Sequence, residues 1–152
     1  MAKYLFLDID GVIKTDYGCF NTKSLAAISK IVKKTDVNVI LSSGWRELFD
    51  EEMKPQRKCA DDLVKALAQY DIELKGKTQS MSNEELKKVG SLNKIREMEI
   101  DEWLKTHPYQ SFLVVDDIEI ERFKDNQIVI HDKRGLNWID VRQAISILGK
   151  EG

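Results

Sequence analysis

The segment Tyr4-Leu5-Phe6-Leu7-Asp8-Ile9-Asp10-Gly11 constrains the fold of this chain more than any other. Four consecutive apolar residues, bounded by charge and by glycine, read as a strand buried on both faces, as in a parallel sheet. The strand then ends in two carboxylates two positions apart, followed at once by a glycine. One carboxylate at the end of an apolar strand is costly unless a metal ion or hydrogen-bond donors compensate it, and two are costlier still. An Asp-rich turn would explain the residue types, since Asp and Gly favour turns, but it would leave that cost standing.

Two further apolar runs end in the same manner. Val37-Asn38-Val39-Ile40-Leu41 leads into Ser42-Ser43-Gly44, and Phe112-Leu113-Val114-Val115 leads into Asp116-Asp117. Weaker strands read at Ile72-Glu73-Leu74, ending near Gly76, and at Ile128-Val129-Ile130. Helical spacing fills the gaps. Leu25, Ile28, Ile31 and Val32 share one face behind a cap at Asn21 or Thr22, after a loop that contains Tyr17-Gly18. Trp45, Leu48, Phe49 and Met53 predict a second helix, broken by Pro55, and Leu63, Val64 and Leu67 a third. Leu92, Ile95, Trp103 and Leu104 form the expected inner face of a strong helix that ends before Pro108. Gly135-Leu136-Asn137 opens the last helix, with Val141, Ala144, Ile145 and Leu148 turned inward. Residues 79–91 are polar and without a clear period, a surface loop with a helical turn at most at Asn83–Lys88.

Strands alternating with helices predict an α/β fold, a Rossmann-like three-layer sandwich around a five-stranded, mostly parallel sheet. In such a sheet, ligands bind in the crevice beyond the carboxyl ends of the strands. Asp8 and Asp10, Ser42 and Ser43, and Asp116 and Asp117 would all gather there. Three polar sets at the same end of three strands are a far more specific signal than any one of them.

Length and charge narrow the setting. The 152 residues suit a single domain with a sizeable core. A net charge of −2 excludes a global basic field, so any contact with nucleic acid has to be local. Cys19 and Cys59 have neither metal-site nor disulfide spacing and read as reduced thiols. His107 and His131 belong to no zinc-like cluster. Met1-Ala2-Lys3 runs directly into the first strand, leaving no room for a signal peptide, and no apolar run approaches membrane-spanning length. A cytoplasmic protein with no membrane partner is the expectation.

Asp8-Ile9-Asp10-Gly11-Val12 resembles the first motif of the haloacid dehalogenase (HAD) phosphatase superfamily, DxDG followed by Val or Thr after an apolar strand. Ser42 matches the second motif and Asp116-Asp117 the fourth, in the right order over nearly the whole chain. The resemblance implies that Asp8 is the nucleophile, forming an aspartyl-phosphate, and that Asp10 is the general acid and then base. It implies Mg²⁺ as cofactor, held by a carboxylate oxygen of Asp8, the backbone carbonyl of Asp10 and a carboxylate of the acidic pair. Asp116 is the first choice there, with Asp117 behind it or as the alternate ligand. Ser42 would hold phosphate oxygens, assisted by the start of the next helix, and Ser43 is its close rival. The third motif calls for a cation beside the nucleophile, for which Lys94 and Arg96 are the candidates.

Arg96-x-x-Glu99-Ile100-x-x-Trp103-Leu104 further resembles a pattern in the HAD domains of Swiss Army knife RNA-repair proteins. Ser43-Gly44-Trp45-Arg46 is similar to that group's Ser-Trp-Arg segment with one extra glycine, and Gly135-Leu136-Asn137 to its Gly-Leu-Thr with Asn for Thr. This spacing favours Arg96 over Lys94. Ser43, Gly44 and Arg46 also resemble the Ser-Gly-Arg of polynucleotide kinase-phosphatases, which implies that Arg46 helps to hold substrate. Trp45 and Trp103, at helical spacing with apolar neighbours, are expected in the core.

HAD phosphatases often carry an inserted cap domain. Only residues 79–91 are spare here, too few for one, and an open site would suit a phosphate on a large molecule. The leading expectation is a Mg²⁺-dependent phosphomonoesterase acting on a phosphorylated substrate such as a nucleic-acid end, with Arg46, Lys94, Arg96, Lys133 and Arg134 along the rim. The alternatives are a small-molecule phosphatase or nucleotidase and, from another class, an inactive HAD domain that binds a protein partner. Retention of both Asp8 and Asp10 argues against the inactive form.

Overall fold

The structure is a computed structural model that describes residues 1–15, 19–131 and 135–149. Five strands make one sheet in the order β3-β2-β1-β4-β5, and every neighbouring pair is parallel. The strands are β1 (Ala2–Leu7), β2 (Asn38–Leu41), β3 (Leu74–Lys77), β4 (Tyr109–Asp116) and β5 (Gln127–Val129). The expected "mostly parallel" sheet is thus parallel throughout. The helices are α1 (Thr22–Thr35), α2 (Lys58–Ala68), α3 (Asn83–Val89), α4 (Leu92–Thr106) and α5 (Trp138–Leu148).

Period-two alternation along the central strands builds two separate cores, because successive side chains leave opposite faces of a sheet. Leu5, Leu7, Val39, Leu41, Leu113 and Val115 pack with Leu25 and Ile28 of α1, Leu63 and Leu67 of α2, and Val141 and Ala144 of α5. Phe6, Ile40, Phe112 and Val114 face the other way, onto Ile100 of α4 and Phe123. The result is helix, sheet, helix: the three-layer sandwich that the alternation of elements predicts. Residues 79–91 contribute the seven-residue α3 and no cap domain. Among the described residues, no helix is long and apolar enough to cross a membrane. Cys19 and Cys59 are free and exposed.

Two elements depart from their expected form. Trp45, Leu48, Phe49 and Met53 do not share an α-helix: a 3₁₀ helix covers only Gly44–Leu48, Phe49 bridges to Pro55, and Met53 has a left-handed φ of 64°. Lys77 at the end of β3 meets the backbone where the 3₁₀ helix stops. Its ammonium donates to the carbonyls of Arg46 (3.1 Å), which also accepts the Phe49 amide (3.2 Å), and of Phe49 (2.8 Å), satisfying acceptors at the end of the segment. The inner face of α4 also differs from the expected one. Leu92 is exposed, whereas Arg96, Glu99 and Ile100 are buried.

Candidate active site

Parallel register sets the line on which the site is built. Leu7 is level with Leu41 of β2 and with Val115 of β4, so Asp8, Ser42 and Asp116 stand side by side as each strand ends. The ladder continues through this row, the Asp8 amide donating to Val115 (3.0 Å) and the Ser42 amide to Leu7 (2.9 Å). Side chains held by ladder-bonded backbone have little freedom to wander. Asp8, Ser42 and Asp116 are all buried, and Asp8 and Asp116 come within reach of the exposed Asp117. One carboxylate oxygen from each of Asp8, Asp116 and Asp117 lies within 4.8 Å of the others.

So much buried anion is compensated by one guanidinium. Arg96 projects from α4 and donates from Nη1 to Asp116 Oδ2 (2.6 Å) and to the Ser42 carbonyl (2.9 Å), with Asp8 Oδ1 3.6 Å away. It does not suffice. Burial pushes the Asp8 carboxyl up to about 8, the Asp116 charge adding to the effect and Arg96 opposing it. Burial likewise pushes Asp116 up to about 6 against the pull of Arg96. The cluster therefore holds protons that a second cation would displace.

The donor set suits Mg²⁺. It consists of oxygens alone, and octahedral coordination at about 2.1 Å places neighbouring ligand oxygens roughly 3–4 Å apart, a spacing these three carboxylates can meet. Gly11 makes the approach of Asp117 feasible. A Cβ at that position would lie 2.3 Å from Asp117 Oδ2, and the backbone there has φ +84°. The two acids of the pair are not equivalent. Asp116 Oδ2 is taken by Arg96, and its Oδ1 accepts the amides of Asp117 (2.8 Å) and Ile118 (3.2 Å), whereas Asp117 stands exposed beside Gly11.

The two serines also separate. Ser43 Oγ caps the 3₁₀ helix, accepting the Trp45 amide at 3.1 Å. Ser42 Oγ is fully buried and has no hydrogen-bond partner among the described residues. A buried hydroxyl left unpaired costs about 1–3 kcal/mol, a cost that a phosphate oxygen would remove. The helix that follows is a single short 3₁₀ segment, so the expected help from a long helix N-terminus is not there.

Of the other expected residues, Lys94 does not join the cluster. It lies exposed on the outer side of α4 and pairs with Glu97 at 3.0 Å, two positions short of the buried face that carries Arg96. Arg46 is already engaged. Its guanidinium grips Glu99 bidentately (3.1 and 2.5 Å) and donates to Thr78 (3.3 Å) and Ser80 (2.8 Å). Gly44 is exposed, with open space where a Cβ would stand. Asp10 is exposed, and its Oδ2 accepts the indole N–H of Trp45 at 3.2 Å. Lys133 and Arg134 lie outside the described residues, as does Tyr17-Gly18 of the first loop.

Sequence reasoning passed over three participants. Trp45 packs at the edge of the core as expected, yet its N–H is spent on Asp10. Glu99 was present only as a letter in a pattern, and it proves to be a buried anion between two arginines, 3.9 Å from Arg96 Nε as well. Thr78, fully buried past the end of β3, had no motif to mark it.

No curated protein and no solved structure matches this chain. A family model does match, that of the HAD domain in Swiss Army Knife RNA repair proteins, and it spans residues 4–141. The match takes in the strand-end row, both arginines and the Gly135–Asn137 turn, and the chain belongs to that family.

Proposed function

We propose that this chain is a Mg²⁺-dependent phosphomonoesterase that works through an aspartyl-phosphate on Asp8. Family membership supports a HAD-type hydrolase. The observation that carries the finer reading is the buried row of Asp8, Ser42 and Asp116, under-compensated by Arg96 and completed by Asp117. Asp8 and Asp117, with the backbone carbonyl of Asp10, would hold the cation, while Asp116 is braced by Arg96. When bound, Mg²⁺ supplies positive charge between two groups that otherwise repel, the nucleophile and the phosphate.

The residues then divide the work. Asp8 attacks phosphorus and the bond to the leaving oxygen breaks, that oxygen taking a proton from Asp10. Asp10, now a carboxylate, removes a proton from water, which attacks phosphorus and breaks the bond to Asp8. Inorganic phosphate leaves and Asp10 is protonated again. Ser42 Oγ and Arg96 stabilise the phosphoryl oxygens.

Substrate size is the finer question. The family's association with RNA repair supports a phosphorylated nucleic-acid end, and the uncapped edge leaves room for one. The second reading, a small phosphate ester, is favoured by a specific observation: Arg46, Lys94 and Arg96 are each committed to a carboxylate of the chain itself. Two comparisons test the proposal. Asp8→Asn should lower turnover of p-nitrophenyl phosphate with Mg²⁺ by orders of magnitude without unfolding the protein, and near-wild-type turnover would end the aspartyl-phosphate reading. A 3′- or 5′-phosphorylated oligonucleotide should exceed the matching mononucleotide in kcat/KM, with the gap closing as salt rises. Equal values at low salt would transfer the assignment to small esters.

A further inference from the structure

The loop that carries Asp10 is tied to the loop after β2 by one aromatic side chain. Trp45 is itself well held. Ser43 caps its amide (3.1 Å), Phe20 meets its ring edge-on with centroids 6.5 Å apart, and the Lys14 ammonium lies 5.2 Å from its centroid. Lys14 belongs to the same loop as Asp10, the two forming a backbone bridge, and the Gly11 amide donates to the Lys14 carbonyl at 3.0 Å. The loop thus places a cation over the indole face and a carboxylate at the indole N–H. A cation over the ring draws π density toward itself, and the N–H becomes a better donor for it.

We infer that Trp45 is a positioning residue for the acid–base step, holding Asp10 Oδ2 so that Oδ1 is the oxygen that carries the proton to and from the substrate. The inference rests on the phosphomonoesterase reading above. Indole is a donor only, so it can bind Asp10 by an acceptor oxygen but cannot take its proton. At 3.2 Å the contact lies at the long end of an N–H···O bond, strong enough to select a rotamer and weak enough to let the carboxyl tilt. Asp10 is exposed, so without this partner its side chain would sample several rotamers, of which few aim at the leaving oxygen.

Leaving groups differ in how much they need the acid. An alkyl phosphate expels a strongly basic alkoxide and depends on protonation, whereas p-nitrophenolate leaves without it. Trp45→Phe keeps an aromatic ring at this position and removes the N–H together with part of the indole's bulk, and a loss of packing would fall on both esters alike. It should lower kcat/KM, which covers the steps up to aspartyl-phosphate formation, about tenfold for an alkyl phosphate and less than about twofold for p-nitrophenyl phosphate. In an Asp10→Asn background the same change should cost nothing further. An equal loss on both esters, or a full additional loss beside Asp10→Asn, overturns the role of Trp45. If Trp45→Phe fails to fold, a protein that keeps Trp45 still decides. The Trp45 indole N–H resonance should move in Asp10→Asn, and a resonance that stays in place overturns the inference. Undiminished activity in Asp8→Asn would be a different result, ending the aspartyl-phosphate reading on which the role of Trp45 rests.

Discussion

Gly11 shows how much of the site depends on an atom that is missing. Its φ of +84° is open to glycine at no cost, and the space above it is filled by the Asp117 carboxylate, 2.3 Å from where a Cβ would stand. Gly11→Ala therefore does two things. It strains the backbone by about 1–3 kcal/mol, and it drives Asp117 out of the carboxylate cluster. Apparent Mg²⁺ affinity, read from activity against metal concentration, should fall tenfold or more, beyond what the lost stability alone would cause. Wild-type Mg²⁺ affinity in a folded Gly11→Ala protein would remove Asp117 from the proposed ligand set. Ser42 belongs to the same scale. Its buried Oγ, without a partner among the described residues, carries a cost that a phosphate oxygen would remove, whereas Ser43 next to it is employed as a cap.

At the scale of elements, α4 is joined to the carboxyl edge of the sheet by charge as well as by packing. Glu99 receives Arg46 from the 3₁₀ segment after β2, and Arg96, one turn earlier on α4, reaches Asp116 and the end of β2. Burial pushes the Glu99 carboxyl upward, and the two arginines pull it back. Removing one partner of such a pair strands the other, at a cost of about 3–5 kcal/mol when the pair is buried. Glu99 is 1% exposed and Arg46 13%, so the low end applies. Arg46→Met should lower unfolding stability in urea by about 3 kcal/mol, with Arg46→Lys a poor rescue because ammonium cannot make the bidentate contact. A stable Arg46→Met with a raised KM would instead make Arg46 a substrate-binding residue, the role that its Ser-Gly-Arg context implies. This chain of charge also marks where sequence reading ran out. Periodicity detects apolar faces: Leu92 shares the helical face of Arg96 and Glu99 but stands exposed as the first residue of α4, while the two charged residues further along are buried, which an apolar pattern cannot show. In the 45–53 stretch it detected helical spacing but not that the segment stops after one short turn, where Lys77, far along the chain, donates to its last carbonyls. The strands were legible for the opposite reason. Their apolar runs and the polar residues ending them are local, and parallel pairing alone aligns those ends. Rotamers are not local, and so the bond from Trp45 to Asp10 was invisible until the fold brought positions 10 and 45 together.

For the molecule as a whole, the acidic cluster makes stability depend on pH in an unusual direction. A carboxylate that is paired in the native state usually has a depressed pKa, and the protein loses stability as pH falls. Asp8 is the reverse, raised from 3.8 to about 8 by burial and by the Asp116 charge, and Asp116 is raised to about 6. Between about pH 4 and pH 8 the folded metal-free protein therefore binds more protons than the unfolded chain does. Stability then decreases as pH rises through that window, with no penalty from these groups below it and no further change above it. Metal-free protein in EDTA should melt at a lower temperature at pH 8 than at pH 6, with each kcal/mol worth about 2–4 °C in a chain of this size. Mg²⁺ stabilises the folded state by mass action, and protons compete with it for the same oxygens, so its gain in Tm should be larger at pH 8 than at pH 6. Asp8→Asn removes the group with the largest shift and should flatten the pH slope of the metal-free protein, raising its Tm at pH 8 while turnover is lost. A slope that survives Asp8→Asn unchanged would place the strain elsewhere in the molecule. An Mg²⁺ gain independent of pH would mean that the cation binds outside this cluster.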